Sequence, residues 1–412
     1  METSSDSLNI LYFCADRGIS IGGTKGASAH IRGFVGALVH AGHKVTAVLR
    51  GDRHKGYEQL PFRVIGLPEN RPPAKSEFPG HAQGGRHAVS ENEEIDQNPH
   101  FEQFLRELGS KEKFDFFYER YSLFSIAGLN YVESSGLPFI LEVNAPLVLE
   151  ASRYRKLELM QQAREIERRL FSSADTVIAV SNQLKDYILK TVPDSKVTVV
   201  PNGVDVEKFS HTGAATGEPD KPRRFTIGFV GNLRPWHGID ILLESFAGIT
   251  EIHDDVRLLI IGDIGKMKNQ LDDFCQANRL NGKVVFTGAV PQEDIPRLMR
   301  QIDVAVAPYP ELPDFYFSSL KIFEYMAAGK PIVASRIGQI DEILENDKTA
   351  LLIPPGNPAA LTGALIQLKN DPDLARRLGQ RARLEAQSKH TWKDRIEKIE
   401  GIMRTLKSKA AT

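Results

Sequence analysis

Residues 302–335 read Ile302-Asp303-Val304-Ala305-Val306-Ala307-Pro308, a turn-like segment, Ser318-Ser319-Leu320-Lys321-Ile322-Phe323-Glu324-Tyr325-Met326-Ala327-Ala328-Gly329, and then Pro331-Ile332-Val333-Ala334-Ser335. The first run is short, apolar and closed by proline, which predicts a buried strand. In the second, Leu320, Phe323 and Ala327 share one helical face. Ser318 or Ser319 can cap its start, and Gly329 followed by Pro331 ends it. The third run is another buried strand, so the stretch reads as a βαβ unit of a parallel sheet. A helix that opens directly after a strand presents free N–H groups to its loop, and such a terminus favours anions, phosphate above all. Lys321 stands in the first turn, where a cation opposes the helix dipole; the placement makes sense if an anion docks beside it. Glu324, one turn on, can point back to the same loop, where a carboxylate suits a sugar or ribose hydroxyl better than phosphate.

The same pattern recurs on either side. Upstream, Thr226 to Val230 reads as a strand, followed by Gly231-Asn232-Leu233-Arg234-Pro235-Trp236-His237-Gly238 and a helix over Ile241 to Phe246. This loop again joins a strand end to a helix start and favours phosphate, with Arg234 as its charge; His237 either hydrogen-bonds a phosphate or caps the turn. At the N-terminus, Leu8 to Ala15 is a strand. Gly22-Gly23 follows, then a helix with Ile31, Phe34, Val35, Leu38 and Val39 at helical spacing, then the strand Lys44 to Leu49. The diglycine is either a structural turn or a place where backbone approaches a ligand phosphate or sugar.

Between these units the chain is uneven. Gly66 to Lys113 carries Pro68, Pro72, Pro73, Pro79 and Glu91-Asn92-Glu93-Glu94, which predicts a polar, partly disordered excursion ending in a helix over Phe101 to Leu108. His81, His87 and His100 match no metal spacing and read as solvated loop histidines. Phe114 to Tyr121 is a strand with Arg120 at its carboxyl end, where ligands of parallel sheets bind; the residue is a site candidate or the partner of Glu119 or another nearby carboxylate. Leu137 to Val143 is a strand followed by Asn144. Leu157 to Phe171 is an amphipathic helix with Arg164, Arg168 and Arg169 on one face. Interspersed Glu158, Glu165 and Glu167 favour a solvated surface helix over one lying on an acidic membrane. Pro201-Asn202-Gly203-Val204-Asp205 carries a turn signal, and His211 to Arg224 lacks apolar periodicity and reads as a linker. Leu374 to Lys407 is helical, with Trp392 near its middle.

The chain has 412 residues, enough for two or three domains. With 52 Lys plus Arg against 53 Asp plus Glu, it lacks the basic excess of a general nucleic-acid binder. Cys14 and Cys275 have no metal spacing and suggest a reducing compartment. No apolar run approaches the roughly 18 residues that span a bilayer. The expectation is a cytoplasmic protein, at most peripheral to the inner face of a membrane.

The segment from Ser318 to Ser335, with Pro201 to Asp205 and Gly231 to Gly238, resembles the retaining nucleotide-sugar glycosyltransferases of family four, the relatives of glycogen and sucrose synthases. The resemblance implies a GT-B fold: two Rossmann-like, doubly wound α/β domains facing a cleft. It places the first domain at 1–208, a linker at 209–224, the donor-side domain at 225–390, and a last helix, 391–412, packing back on the first domain. It implies a nucleoside-diphosphate sugar as donor substrate, a hydroxyl-bearing saccharide, glycolipid or small metabolite as acceptor, and no required cofactor or metal. Glu324 would hold the donor ribose, and Arg234 and Lys321 the diphosphate. Gly22, Gly23, Asn232, His237, Gly288, Tyr316, Phe317, Ser318, Ser319 and Leu320 would line the donor site. His30, Arg120 and Asn144 would face the acceptor or the cleft. The chain departs from the family pattern at four places: Asn232 and His237 stand for the usual Arg and Lys, Tyr316 for a glutamate, and Asn144 for a common histidine. The alternatives are a nucleotide-sugar epimerase of the same fold and a catalytically weak nucleotide-sugar-binding protein. A dinucleotide oxidoreductase is disfavoured, because Gly-x-Gly-x-x-Gly is missing after the first strand.

Overall fold

A computed structural model describes residues 7–51, 59–68, 90–209 and 224–410. The part of the expected excursion over 69–89, with His81 and His87, and nearly all of the expected linker lie outside the described residues. By its contacts the chain divides into two units: Met1–Gly23, Phe34–Val200 and Ile396–Thr412 form the first, and Thr24–Gly33 with Pro201–Arg395 the second.

The first unit is built on a seven-stranded sheet: β1 (Asn9–Cys14), β2 (Lys44–Leu49), β3 (Arg63–Gly66), β4 (Phe116–Arg120), β5 (Phe139–Val143), β6 (Thr176–Ala179) and β7 (Val197–Val199). All pairings are parallel and the order is 3-2-1-4-5-6-7. β1, β4 and β5 are buried almost throughout, as their continuous apolar runs require of strands covered on both faces. The chain leaves β1 for β2 on one side and returns to β4 on the other, so the switch point lies between β1 and β4.

The second unit repeats the plan with six parallel strands: β8 (Phe225–Val230), β9 (Val256–Ile261), β10 (Val284–Phe286), β11 (Val304–Ala307), β12 (Ile332–Ser335) and β13 (Leu351–Ile353), in the order 10-9-8-11-12-13. Its switch point lies between β8 and β11, which pair Val304 with Ile227 and Ala305 with Gly228. Two core clusters back the sheet. One gathers Phe323, Tyr325 and Met326 of the Leu320–Ala327 helix, and the other Leu242, Phe246 and Ile249 of the Ile239–Thr250 helix. The expected α/β class and paired doubly wound architecture are present. Among the described residues no helix is long and apolar enough to cross a membrane.

The C-terminal stretch, expected to be helical, is two helices, Pro372–Lys389 and Trp392–Ala410. The break is a new helix start: Thr391 N–H donates to Asp394 Oδ2 at 2.9 Å, and Asp394 N–H donates to Thr391 Oγ1 at 3.1 Å. The freed backbone pairs with the Pro201–Asp205 motif, since Val204 N–H donates to His390 O and Trp392 N–H to Val204 O. His100, expected in a loop, lies inside the Asn98–Lys111 helix, which starts earlier than its apolar periodicity suggests because Pro99 suits a first turn.

Candidate active site

The site of the second unit forms where the loops after β8 and β11 leave the sheet. The Leu320–Ala327 helix starts there, and neither serine caps it. Ser319 occupies the cap position without a side-chain capping bond; its Oγ lies 2.9 Å from the Tyr309 hydroxyl. Ser318 Oγ instead accepts from Asn202 N–H at 3.0 Å. The expected cap is thus replaced by tertiary partners, and the helix start keeps amide donors for something other than its own side chains.

Lys321 is buried, and its Nζ has no hydrogen-bond partner among the described residues. The ammonium lies 3.9 Å from the centre of the Phe229 ring and 5.7 Å from that of Tyr309. Ring faces attract a cation but satisfy none of its N–H donors. Burial pulls its pKa down to about 7, against the opposing pull of the Glu324 carboxylate. Gly231, at the end of β8, lets the ammonium lie close: a Cβ there would stand 3.1 Å from Nζ, on a backbone with φ of +137°. Tyr325 fixes the spacing of the two strand ends, since its hydroxyl accepts from Val230 N–H at 2.8 Å and donates to Val306 O at 3.2 Å.

The loop after β8 brings the remaining polar groups. His237 lies among Phe229, Trp236 and Tyr309, with ring centres 5.9–6.1 Å away. Burial, then the charge of Lys321, push its pKa down to about 2, so the imidazole is neutral. Its Nδ1 has no partner among the described residues. Arg234 is exposed and makes no ion pair with a described residue. Gly238 turns the chain into the next helix at φ of +64°, where a Cβ would lie 1.7 Å from Pro308 O; only glycine fits. Asn232 Oδ1 accepts from Asp263 N–H at 3.0 Å, binding its loop to the one after β9. Gly288, at φ of +72°, pairs with Gly262 beyond β9 and β10.

Glu324 is half-buried and accepts from Gln292 Nε2 at 2.8 Å. Burial raises its pKa, while Gln292 and Lys321 work against the rise. Tyr316 is buried, its ring 4.4 Å from that of Phe317, which in turn lies near-parallel to Trp236 at 6.5 Å. Leu320 opens the helix. His30 belongs to this unit as well: its Nδ1 lies 2.7 Å from Asn202 Oδ1, and Asn202 Nδ2 donates to Ser318 O at 2.6 Å. Asn202, Tyr309, Phe229 and Gln292 escaped the sequence reading. The Pro-Asn-Gly motif was the one signal for Asn202; the other three carry none.

In the first unit the candidates fall at the switch point. Arg120 Nη1 lies 3.6 Å from Glu142 Oε1, which also accepts from Asn144 Nδ2 at 2.6 Å. Burial opposes the Arg120 charge, but Glu142, Tyr12, Cys14 and Asp16 together outweigh it and leave the guanidinium pKa raised. Glu119 is not its partner. Alternation along β4 sends Glu119 to the other face, where burial pushes its carboxyl up to about 8. Gly22 and Gly23 form a turn in which Gly23 N–H donates to Ser20 O at 3.0 Å, and neither has a positive φ.

Two strand ends, a helix start without a side-chain cap and a buried lysine without a hydrogen-bond partner among the described residues thus meet at one place. The model of Glycosyltransferase Family 4 matches residues 24–208, and that of Glycosyl transferases group 1 matches residues 215–385. An uncharacterised glycosyltransferase of Methanocaldococcus jannaschii is 24% identical over 389 residues, covering 90% of this chain and 92% of its own. Among solved structures, the sucrose-phosphate synthase of Thermosynechococcus elongatus superposes with a TM-score of 0.78 at 20% identity, over 98% of this chain and 100% of its own. The Anabaena protein HepE, solved with UDP-glucose, superposes with a TM-score of 0.70 at 18% identity, over 97% and 100%. With both halves matched and the two parallel-sheet units in place, the chain belongs to the family-four, group 1 glycosyltransferases of GT-B fold.

Proposed function

We infer that the chain transfers a glycosyl group from a nucleoside-diphosphate sugar to a hydroxyl acceptor, with retention at the anomeric carbon. The observation that carries this reading is the Lys321 ammonium, buried without a hydrogen-bond partner at an uncapped helix start. A diphosphate supplies what that site lacks. In the reaction the bond from the anomeric carbon to the diphosphate oxygen breaks and one to the acceptor oxygen forms. The acceptor proton is released, and negative charge develops on the leaving diphosphate. Donors already aimed at that charge lower the barrier because they need not reorganise. Lys321 and the helix N–H groups would meet the phosphate nearer the sugar, and Arg234 the other.

Glu324, held by Gln292, would accept from the ribose hydroxyls. The neutral His237 would offer Nδ1 as an acceptor to a ligand hydroxyl. Gly288 and its neighbours would face the base, and Tyr316, Phe317 and Ser318 the sugar. His30, Arg120 and Asn144 remain the candidates for the acceptor side, a saccharide, glycolipid or small metabolite. No metal is needed in this scheme, since two cations answer the diphosphate. The UDP-glucose complex of HepE supports a nucleotide sugar as donor. The test is release of nucleoside diphosphate from a panel of nucleotide sugars with and without saccharide acceptors. Acceptor-dependent release by the wild type, lost in Lys321→Ala, is expected. Tight donor binding without release would overturn transfer and leave a binding protein; release without acceptor would point to the epimerase alternative.

A further inference from the structure

The first unit contains a pocket of about 310 Å³ walled by the Leu147–Tyr154, Met160–Ser173 and Asn182–Thr191 helices. The exposed residues Arg164, Arg168 and Lys190 line it, and Val148 and Leu149 supply an apolar side. Its volume is at the small end of the range for small-molecule sites, about 300–1,000 Å³. We propose that this pocket binds the phosphate group of a phosphorylated ligand.

The argument is one of charge. Arg164 and Lys190 make no ion pair with any described residue, and Arg168 reaches only Glu165, at 3.9 Å. The one carboxylate lining the pocket is Glu167, and it is already engaged. Its Oε1 accepts from the Tyr121 hydroxyl at 3.0 Å and its Oε2 from the Tyr187 hydroxyl at 2.8 Å. Burial raises the Glu167 pKa; the two arginines act on it only at longer range. Three cations therefore face one concavity whose single carboxylate is turned to two hydroxyls. Like charges gathered at one place repel, and a dianion between them removes the repulsion while forming charge-assisted hydrogen bonds. Val148 and Leu149 suit the carbon skeleton next to the phosphate. The same chemistry is presented by a soluble phosphomonoester and by a phosphomonoester lipid headgroup. The site rests on residues of the first unit alone and stands whether or not the transferase reading holds.

The experiment uses the full chain and two probes. In the first arm, inorganic phosphate replaces chloride at constant ionic strength and the melting temperature is followed. It is run in the wild type and in Lys321→Ala, which removes the anion site of the second unit. The expected result is a saturable rise that survives Lys321→Ala and whose midpoint moves to at least tenfold higher phosphate in Arg164→Gln/Lys190→Gln. Lys407→Gln, an exposed cation elsewhere, serves as control and should leave the midpoint in place. The single Lys190→Gln variant, at an exposed position, should move it severalfold if the double variant does not fold. In the second arm, the protein is sedimented with vesicles of phosphatidylcholine containing phosphatidate. Capture lost in the double variant assigns the phosphate to a lipid, and a phosphate response without capture assigns it to a soluble ligand. A midpoint unchanged in both pocket variants, or no response beyond that abolished by Lys321→Ala, overturns the proposal.

Discussion

Donor binding should take up a proton, and Lys321 should be its destination. Burial over the Phe229 and Tyr309 rings places its pKa at about 7, so at pH 7 about half of the empty sites hold a neutral amine. A diphosphate beside Nζ favours the ammonium and returns the pKa toward the ordinary lysine value. The sign follows: the binding-competent, protonated fraction is nearly complete below pH 6 and falls as pH rises through 7. With apparent affinity proportional to that fraction, the donor dissociation constant should rise about 50-fold between pH 7 and 9. The assay is calorimetry with a nucleotide sugar, UDP-glucose first, because its diphosphate does not titrate near neutrality. Titrations at pH 7 in buffers of different ionisation enthalpy should show about half a proton taken up per donor bound. Lys321→Met should bind more weakly and without proton uptake. Wild-type binding with no proton exchange, or uptake that persists in Lys321→Met, would refute the reasoning.

Three further outcomes are expected. Glu324→Ala should weaken donor binding by calorimetry, and Gln292→Leu should do so to a smaller degree, since Gln292 acts through its 2.8 Å bond to Glu324; unchanged affinity in Glu324→Ala would remove the ribose assignment. Arg234→Ala should lower kcat/KM about ten- to a hundredfold, as expected for one charged hydrogen bond of about 1.5–3 kcal/mol. Its combination with Lys321→Ala should deviate from additivity, and strict additivity would mean that the two cations do not share one group. Gly238→Ala should lower the unfolding free energy by more than about 1 kcal/mol in a denaturant titration, through strain at φ of +64° and a clash with Pro308 O; full stability would show that the loop relaxes freely.

How much was legible in the chain can be seen from particular residues. The continuous apolar runs of β1, β8 and β11, each followed by a loop and an amphipathic helix, suffice to define parallel βαβ units, because only strands covered on both faces read that way. Gly329 and Pro331 mark a helix end, and Lys321 and Glu324 stand out by position within the first turns. These are local properties, governed by neighbours within a few residues. The fate of Ser318 and Ser319 is different. Either could cap a helix by local geometry, yet their hydroxyls go to Asn202 and Tyr309, which are 116 and 10 residues away in the chain. The break at His390–Thr391 is marked locally by Thr391 and Asp394, but the partner its freed backbone takes is Val204, nearly two hundred residues earlier, which periodicity does not show. The state of Lys321 is the clearest case. Its place in the helix is local, but its lowered pKa comes from burial, to which Phe229 on β8 and Tyr309 beyond β11 contribute. Their rings exclude water without offering an acceptor, and only the pairing of β8 with β11 brings them to the same ammonium.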